Sequence, residues 1–441
     1  MNHIIDSVVN LFHSFITQLN QLGGEFIDEG GFGAVFSPAF YFDRETKQIE
    51  YKENYISKIL ILEDGENEMK QIHLINSIDP THIFTPHVFV GQIISRTDLK
   101  HAENIDEINH SNVLKYIESD AKLYNIIIQN CGHPIDRIMG NMLGDNIYYL
   151  NNIDALYESL YNSINGIDII NQHSVIHNDI KIDNILYDGN KTYIIDFGES
   201  KNISNIIENT NLLMFYNLAI RLGRNVIDIA NIQFKVRFPI EYKLLGLIFY
   251  DPYSPVIQNL PSNDEMIDYM RESYESAQIH YSNLHISDGL RSFVKLFESL
   301  YHKIEVAKNR KLRVSNRFMD FDDFETANDK FDEEIGELSD EEFDEQEELL
   351  YEYMNQFKHT SEIVEVITHL YSCIDSYCFG HTLNQIVKFD KKIIDKLYGN
   401  IDDNTFNTRI VVNNKYKKIA NKLSTLVINE RLTAKQSLDV W

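Results

Sequence analysis

The sequence predicts an α+β protein with a small antiparallel sheet in its N-terminal part and a mainly helical C-terminal part. Residues 24–62 have the pattern of strands joined by turns, and the stretch GEFIDEGGFGAVF gives a strand, a glycine turn and a second strand. Residues 55–62 (YISKILIL) form a third strand, rich in β-branched and large apolar residues. Beyond residue 360 the apolar residues follow a helical period to the end of the chain.

The elements between these parts follow from periodicity and turn chemistry. Residues 65–78 and 152–172 carry apolar residues at helical spacing, and residues 122–129 (KLYNIIIQ) form a buried strand that ends at the turn of residues 131–134. Two short apolar runs, 185–187 and 192–195, flank Asp188-Gly189-Asn190. This spacing is typical of a β-hairpin.

Composition excludes some classes of function. The chain has 441 residues, of which 43% are hydrophobic, so it can bury a sizeable core. Its formal net charge of −27 argues against a nucleic-acid partner that needs a basic surface. Residues 320–348 hold sixteen acidic residues and one basic residue, and we expect about 315–350 to be disordered. The three cysteines cannot form a disulfide framework and indicate a reducing compartment.

No apolar run approaches the length of a membrane span. The first residues lack the basic start of a secretory signal, and residues 1–20 instead have the apolar spacing of an amphipathic helix. We therefore expect a cytoplasmic protein that is not secreted.

Three groups of residues have the chemistry of a nucleotide site. Gly30, Gly31 and Gly33 lie between two strands, where glycines let backbone N–H groups approach phosphates, although such glycines also make ordinary hairpin turns. Lys58 interrupts an otherwise apolar strand, which is costly for a lysine without a partner. Glu68 on the following helix is the favoured partner. Glu63 and Glu66 compete for this role, and Lys58 could also be the solvent-side residue of an edge strand.

The third group lies in HNDIKIDN, residues 177–184, and in Asp196-Phe197-Gly198. Asp179 is a candidate general base for a hydroxyl, and Lys181 can neutralise charge on a transferred group. Asn184 and Asp196 supply the hard oxygen atoms that Mg²⁺ prefers.

This set of motifs resembles the eukaryotic-type protein kinase family, and in composition the chain is similar to the divergent serine/threonine kinases of giant nucleocytoplasmic DNA viruses. The resemblance implies a two-lobed protein kinase fold, ATP and Mg²⁺ as cofactors, and transfer of the γ-phosphoryl group to serine or threonine of a protein substrate. It implies Asp179 and Lys181 as catalytic residues and Asn184 and Asp196 as metal ligands. The implied nucleotide-binding residues are Ile27, Asp28, Glu29, Gly30, Gly31, Phe32, Gly33, Ala34, Val35, Lys58, Glu68, Gln129 and Cys131.

The resemblance also implies a domain division. It places the kinase domain at 21–441, with an N-lobe of about 21–130, a C-lobe of about 131–441 and an insertion of about 245–370. Asp375 matches the family's aspartate that holds the catalytic loop backbone, and Glu241 is expected to pair with Arg431.

The chain departs from the family at four places. Asp28 stands in place of the first loop glycine, and Asn178 replaces an arginine that normally receives an activating phosphate, so we expect activity without such phosphorylation. Residues 209–222 have the pattern of an apolar helix rather than a loop. The long insertion is either a solvated surface segment or, through residues 300–350, an intramolecular regulator. A pseudokinase scaffold and a small-molecule kinase are the alternative functions.

Overall fold

The computed structural model describes residues 25–30, 33–46, 48–95, 121–209, 288, 292, 295 and 359–441. The predicted N-terminal helix, the acidic stretch and nearly all of the predicted 209–222 helix lie outside these residues. The chain divides into two compact units, one formed by Met1–Gly166 and Ile182–Ser200 and the other by Ile167–Lys181 and Lys201–Trp441. We call them the first and the second unit.

The first unit is built on a five-stranded antiparallel sheet of order β1-β2-β5-β7-β6. Its strands are β1 (Glu25–Gly30), β2 (Gly33–Ser37), β5 (Tyr55–Ile61), β6 (Val88–Ser95) and β7 (Lys122–Gln129). The predicted strand of residues 122–129 is confirmed at both ends, and the strand predicted at 55–62 ends one residue earlier. There the chain turns directly into helix α1 (Leu62–Ile78).

A hairpin that the sequence pattern did not reveal covers one face of this sheet. It consists of β3 (Ala39–Asp43) and β4 (Gln48–Lys52) and follows the cis peptide bond between Ser37 and Pro38. Phe40 packs with Phe36 and Leu123, and its backbone is held by the buried side chains of Ser57 and Asn125. The opposite face carries α1, whose Met69 and Ile72 pack on Leu60 and Ile126. The Lys58 strand is therefore covered on both sides.

The first unit continues with β8 (His133–Pro134), helix α2 (Ile135–Gly144), most of helix α3 (Asn146–Gln172), and the hairpin of β10 (Ile185–Tyr187) and β11 (Thr192–Ile194). The hairpin is confirmed. Helix α3 begins six residues before the predicted start, because the carboxylate of Asp145 accepts hydrogen bonds from the backbone N–H groups of Ile147 and Tyr148.

The described part of the second unit is helical around α5 (Ser361–Leu397), the longest helix among its described residues. Its other elements are β9 (Val175–Ile176), β12 (Lys201–Asn202), α4 (Ile203–Asn209), α6 (Asp403–Leu423) and α7 (Ala434–Leu438). Helix α5 buries residues on all sides along its middle, and α6 packs on it through Ile419, Ala420 and Leu423. An all-round apolar helix of this kind forms the centre of a core.

The α+β class is thus confirmed, with a small antiparallel sheet in the N-terminal region and a helical C-terminal part. None of the described helices carries the long uncharged apolar stretch that crossing a bilayer requires.

Candidate active site

Lys58 lies in the middle of the sheet of the first unit. Its strand β5 pairs with β2 on one side and β7 on the other, so the alternative that Lys58 belongs to an edge strand is wrong. In this register Lys58 lies opposite Val35 and Ile126, and its side chain is 18% exposed. An ammonium group in such surroundings needs compensating charge.

Glu68 provides that charge. Its carboxylate oxygens Oε1 and Oε2 lie 2.7 and 2.8 Å from Lys58 Nζ, and its side chain is 7% exposed. The pair forms because α1 buries the face that carries Glu68, Met69, Ile72 and Ile75 against the sheet. Glu63 and Glu66 do not share this contact with Lys58, so the predicted pairing with Glu68 is confirmed.

Asp196 completes the cluster. Lys58 Nζ also donates to Asp196 Oδ1 at 3.0 Å. Asp196 follows β11 with φ of 65°, in the left-handed region, which asparagine and aspartate adopt more readily than most residues. The short 3₁₀ turn Phe197–Glu199 begins directly after it, and Phe197 is buried. The first unit therefore contains one ammonium group held between two carboxylates.

The charges around Lys58 favour its cationic form. Burial on its own lowers the pKa of Lys58, but the nearby charges of Glu68 and Asp196 outweigh this effect, so its pKa lies above the usual value. Lys58 therefore remains a cation at neutral pH. A fixed positive charge of this kind can bind phosphate oxygens.

Asn184 and Asp196 are brought together by the β10–β11 hairpin. The backbone N–H of Ile195 donates to the carbonyl of Asn184 at 3.0 Å, which places Asp196, the next residue, beside Asn184. Asn184 is buried and belongs to the short 3₁₀ turn Ile182–Asn184. Their two hard oxygen donors fit Mg²⁺, which takes few protein ligands and completes its coordination with water and phosphate. No cluster of three His, Cys, Asp or Glu that could hold a metal forms within the described ranges.

The glycine turn is described only in part. Gly30 pairs with Gly33 across β1 and β2, and the register shifts at Ile27, between Phe26 and Asp28. The structure therefore places Ile27, Asp28, Glu29 and Gly30 on one strand and Gly33, Ala34 and Val35 on the next. Gly31 and Phe32 lie outside the described residues.

The predicted hinge begins at the end of β7. The backbone N–H of Gln129 donates to the His87 carbonyl, and its side-chain oxygen accepts from the His87 N–H. The Cys131 thiol is buried in a cluster with Leu186 and Tyr193, and burial raises its pKa to about 12. A thiol in this state is unreactive, and only the Cys131 backbone is suited to meeting a nucleotide.

The second unit contains the remaining catalytic candidates. Asp375, in the middle of α5, is fully buried and accepts hydrogen bonds from the backbone N–H groups of His177 and Asn178 at 2.7 and 2.9 Å. These are the contacts that the resemblance implies. They matter because Asn178 has φ of 65°, a strained conformation that the two bonds help to hold.

Asp179 and Lys181 follow this anchored segment. Lys181 Nζ lies 2.9 Å from Asp179 Oδ2, and the Asp179 side chain is 11% exposed. The backbone N–H of Asp179 is directed at Nδ1 of the buried His177 at 3.2 Å. The segment therefore presents a carboxylate with a cation beside it, from a backbone fixed by Asp375.

Arg431 is also buried in the second unit. Its guanidinium lies 4.7 Å from the centre of the Tyr377 ring, and its Nε donates to the Thr425 carbonyl at 3.0 Å. Glu241, its expected partner, lies outside the described residues. His381, on the same helix as Tyr377, packs edge-on against the Tyr377 ring at 4.6 Å. The sequence reading did not single out His381, because a histidine on an apolar helix face gives no signal of its environment.

The predicted residues thus fall into two groups. Lys58, Glu68, Asn184 and Asp196 come together in the first unit, and Asp179, Lys181 and Asp375 belong to the second. The chain passes from one group to the other at the peptide bond between Lys181 and Ile182. In comparisons with known proteins, no family model and no curated protein matches this chain.

Proposed function

We propose that this protein is an ATP-dependent protein kinase of the two-lobed fold, related to the eukaryotic-type protein kinases and transferring the γ-phosphoryl group to serine or threonine. The observation that carries the proposal is the contact of Lys58 with both Glu68 and Asp196 at 2.7 and 3.0 Å. A structural ion pair needs one carboxylate for one lysine. A second carboxylate that follows a hairpin and neighbours an amide oxygen is the arrangement that a phosphate and a cation would use.

Each residue then has a distinct role. Lys58, held by Glu68, neutralises the phosphate oxygens, and the glycine turn offers its backbone N–H groups. Asp179 orients the attacking hydroxyl and accepts its proton, and Lys181 stabilises negative charge on the transferring group. Asp375 fixes the backbone that carries Asp179. Phosphoryl transfer requires little beyond such positioning and charge stabilisation.

Asn184 and Asp196 would hold Mg²⁺. When bound, the ion supplies positive charge to the phosphate oxygens. Lys58 Nζ donates a hydrogen bond to one oxygen of Asp196, Oδ1.

A protein acceptor is favoured over a small molecule by the second unit. Asp375 and Arg431 are buried in its helical core, where Asp375 supports the catalytic segment and Arg431 lies over Tyr377. They match positions of the protein kinase pattern that a small-molecule kinase would not need.

The test is an autophosphorylation and transfer assay with radiolabelled ATP and Mg²⁺, on the wild type and on Asp179→Ala. Casein and histone are offered as protein acceptors beside an aminoglycoside and choline. We expect the wild type to label protein and Asp179→Ala to lose at least 100-fold of the rate. Equal labelling by both chains refutes the proposal. Nucleotide binding without any transfer identifies a pseudokinase instead, and transfer only to the small acceptors identifies a small-molecule kinase.

A further inference from the structure

The side chain of Tyr124 lies between helix α1 and strand β6 in the first unit. Tyr124 lies on β7, on the sheet face that carries α1, and packs against the cluster of Leu60, Met69, Ile72 and Ile126. Strand pairing places it opposite Ile93 and diagonally across from Gly91. Aromatic side chains reach such diagonal neighbours.

Both elements that flank this side chain present a glycine to it. A Cβ on Gly65 of α1 would lie 2.6 Å from Tyr124 Cγ, and closer still to Tyr124 Cβ. A Cβ on Gly91 of β6 would lie 2.7 Å from Tyr124 Cε1 and 2.8 Å from its hydroxyl oxygen. No other residue type fits either position without movement of the backbone or of the ring.

The two contacts differ in how they could be relieved. The Gly91 contact involves the far end of the ring, which an added methyl group would push toward α1. The Gly65 contact includes Tyr124 Cβ, whose position the β7 backbone fixes, so no rotamer of Tyr124 relieves it. The spacing of α1 from the sheet at this point is therefore set by Tyr124.

Gly65 and Glu68 are three positions apart on one helix and both are buried against the sheet. Residues at this spacing lie on the same helix face. A displacement of about 1 Å at Gly65, the amount that an ordinary contact distance requires, would be transmitted along the rigid helix to the Glu68 carboxylate. A shift of about 1 Å away from Lys58 would stretch its 2.7 and 2.8 Å contacts past ordinary hydrogen-bond distance.

We propose that Tyr124, seated between Gly65 and Gly91, is a positioning residue that sets the place of α1 and thereby the Lys58–Glu68 pair. The proposal rests on the proposed function for its consequence in catalysis, since displacement of a positioning contact by 1 Å can cost 100-fold in rate.

The test measures Lys58 directly and needs no nucleotide. The wild type, Gly65→Ala and the control Gly140→Ala are treated with limiting acetic anhydride, and acetylation of Lys58 is followed by mass spectrometry. Gly140 also lies in a helix, and beyond its own helix backbone and chain neighbours no described atom lies within 4 Å of an added Cβ. We expect acetic anhydride to acetylate Lys58 about tenfold faster in Gly65→Ala than in the wild type, because a lysine that loses a carboxylate partner has more free amine. We expect Gly140→Ala and Tyr124→Phe to match the wild type.

Size complementation separates positioning from general damage. In a Tyr124→Gly background, adding Gly65→Ala is expected to leave the rate of Lys58 acetylation unchanged. In a Tyr124→Ala background the same addition should still raise that rate, because the Cβ of residue 124 remains. A folded Gly65→Ala chain with the wild-type acetylation rate overturns the proposal.

Should Gly65→Ala fail to fold by circular dichroism, Gly91→Ala replaces it. It is expected to raise Lys58 acetylation, and adding Tyr124→Ala should reverse the rise. No rise, or a rise without reversal, overturns the proposal. Because none of these measurements involves phosphoryl transfer, they stand or fall separately from the kinase assay.

Discussion

Lys58 and Asp196 are 138 positions apart in the chain, yet Lys58 Nζ donates a 3.0 Å hydrogen bond to Asp196 Oδ1. The contact links the central strand of the sheet to the end of the β10–β11 hairpin within one compact unit. Lys58 therefore has two carboxylate partners, Glu68 and Asp196. Three predictions follow from this cluster and from the segment anchored by Asp375, and a fourth concerns the buried His381.

Replacing Lys58 by Met should abolish phosphoryl transfer and destabilise the fold. The change leaves the buried Glu68 carboxylate without its cation, which we expect to lower the free energy of unfolding by about 3 kcal/mol. Loss of one preorganised charge should reduce transfer by at least 100-fold. Urea unfolding and labelled ATP measure the two effects.

The matched control is Lys52→Met, on the hairpin strand β4, whose lysine pairs with the exposed Glu50. Lys52→Met should change neither the free energy of unfolding nor the rate of phosphoryl transfer appreciably. A double variant Lys58→Met/Glu68→Leu should recover much of the stability without recovering transfer. Recovery of transfer in the double variant would contradict the role given to Lys58.

Replacing Asp375 by Ala should reduce kcat with little effect on the KM for ATP. The variant leaves two buried backbone N–H groups, of His177 and Asn178, without their acceptor, at a cost of about 1–3 kcal/mol each. Lys58, which we propose to contact the phosphate oxygens of ATP, lies in the other unit. Steady-state kinetics decide the matter, with Asp395→Ala, an exposed position on the same helix, as control. A raised KM with unchanged kcat would count against the anchoring role.

Activity should not depend on phosphorylation of residues 199–238. Asn178 stands where the resemblance has a phosphate-binding arginine, and its neutral side chain is only 5% exposed. It offers no charge to a phosphate. Phosphatase treatment followed by a transfer assay is expected to leave the rate unchanged. Loss of activity that a phosphosite in 199–238 restores would refute this expectation.

Stability should fall as the pH drops from about 6.5 to 4. Burial, reinforced by the charge of Arg431, lowers the pKa of His381 from 6.5 to about 4. Between these values the unfolded chain binds a proton that the folded chain does not, so acidification favours unfolding. The shift of the His381 pKa from 6.5 to about 4 corresponds to a loss of about 3 kcal/mol in the free energy of unfolding across this range. His381 contributes no further loss below pH 4.

Urea unfolding at several pH values measures the effect. His381→Leu should flatten the dependence over this range, because it removes the titrating group while keeping an apolar side chain. His73→Gln, at an exposed position of α1, serves as control and should leave the slope unchanged. An unchanged slope in His381→Leu would show that another group is responsible.

The sequence by itself determined the elements and the residue types of the candidate site. Apolar periodicity located α1, β7 and the β10–β11 hairpin to within a few residues. An element that buries one face needs apolar side chains at its own period, so their spacing reveals the element. Motif spacing singled out Lys58, Asp179, Asn184 and Asp196. Periodicity did not reveal the β3–β4 hairpin, whose polar and aromatic residues alternate weakly and which is held by Ser57 and Asn125 from other strands.

Only the tertiary structure decided which of these residues meet. Three glutamates near the start of α1 competed for Lys58 in the sequence, with Glu68 favoured, and helix packing selected Glu68 by placing it on the buried face. The glycines Gly65 and Gly91 carried no signal in the sequence, since a glycine in a helix or strand does not tell which ring it must accommodate. Such choices depend on contacts between distant segments, which local spacing does not encode.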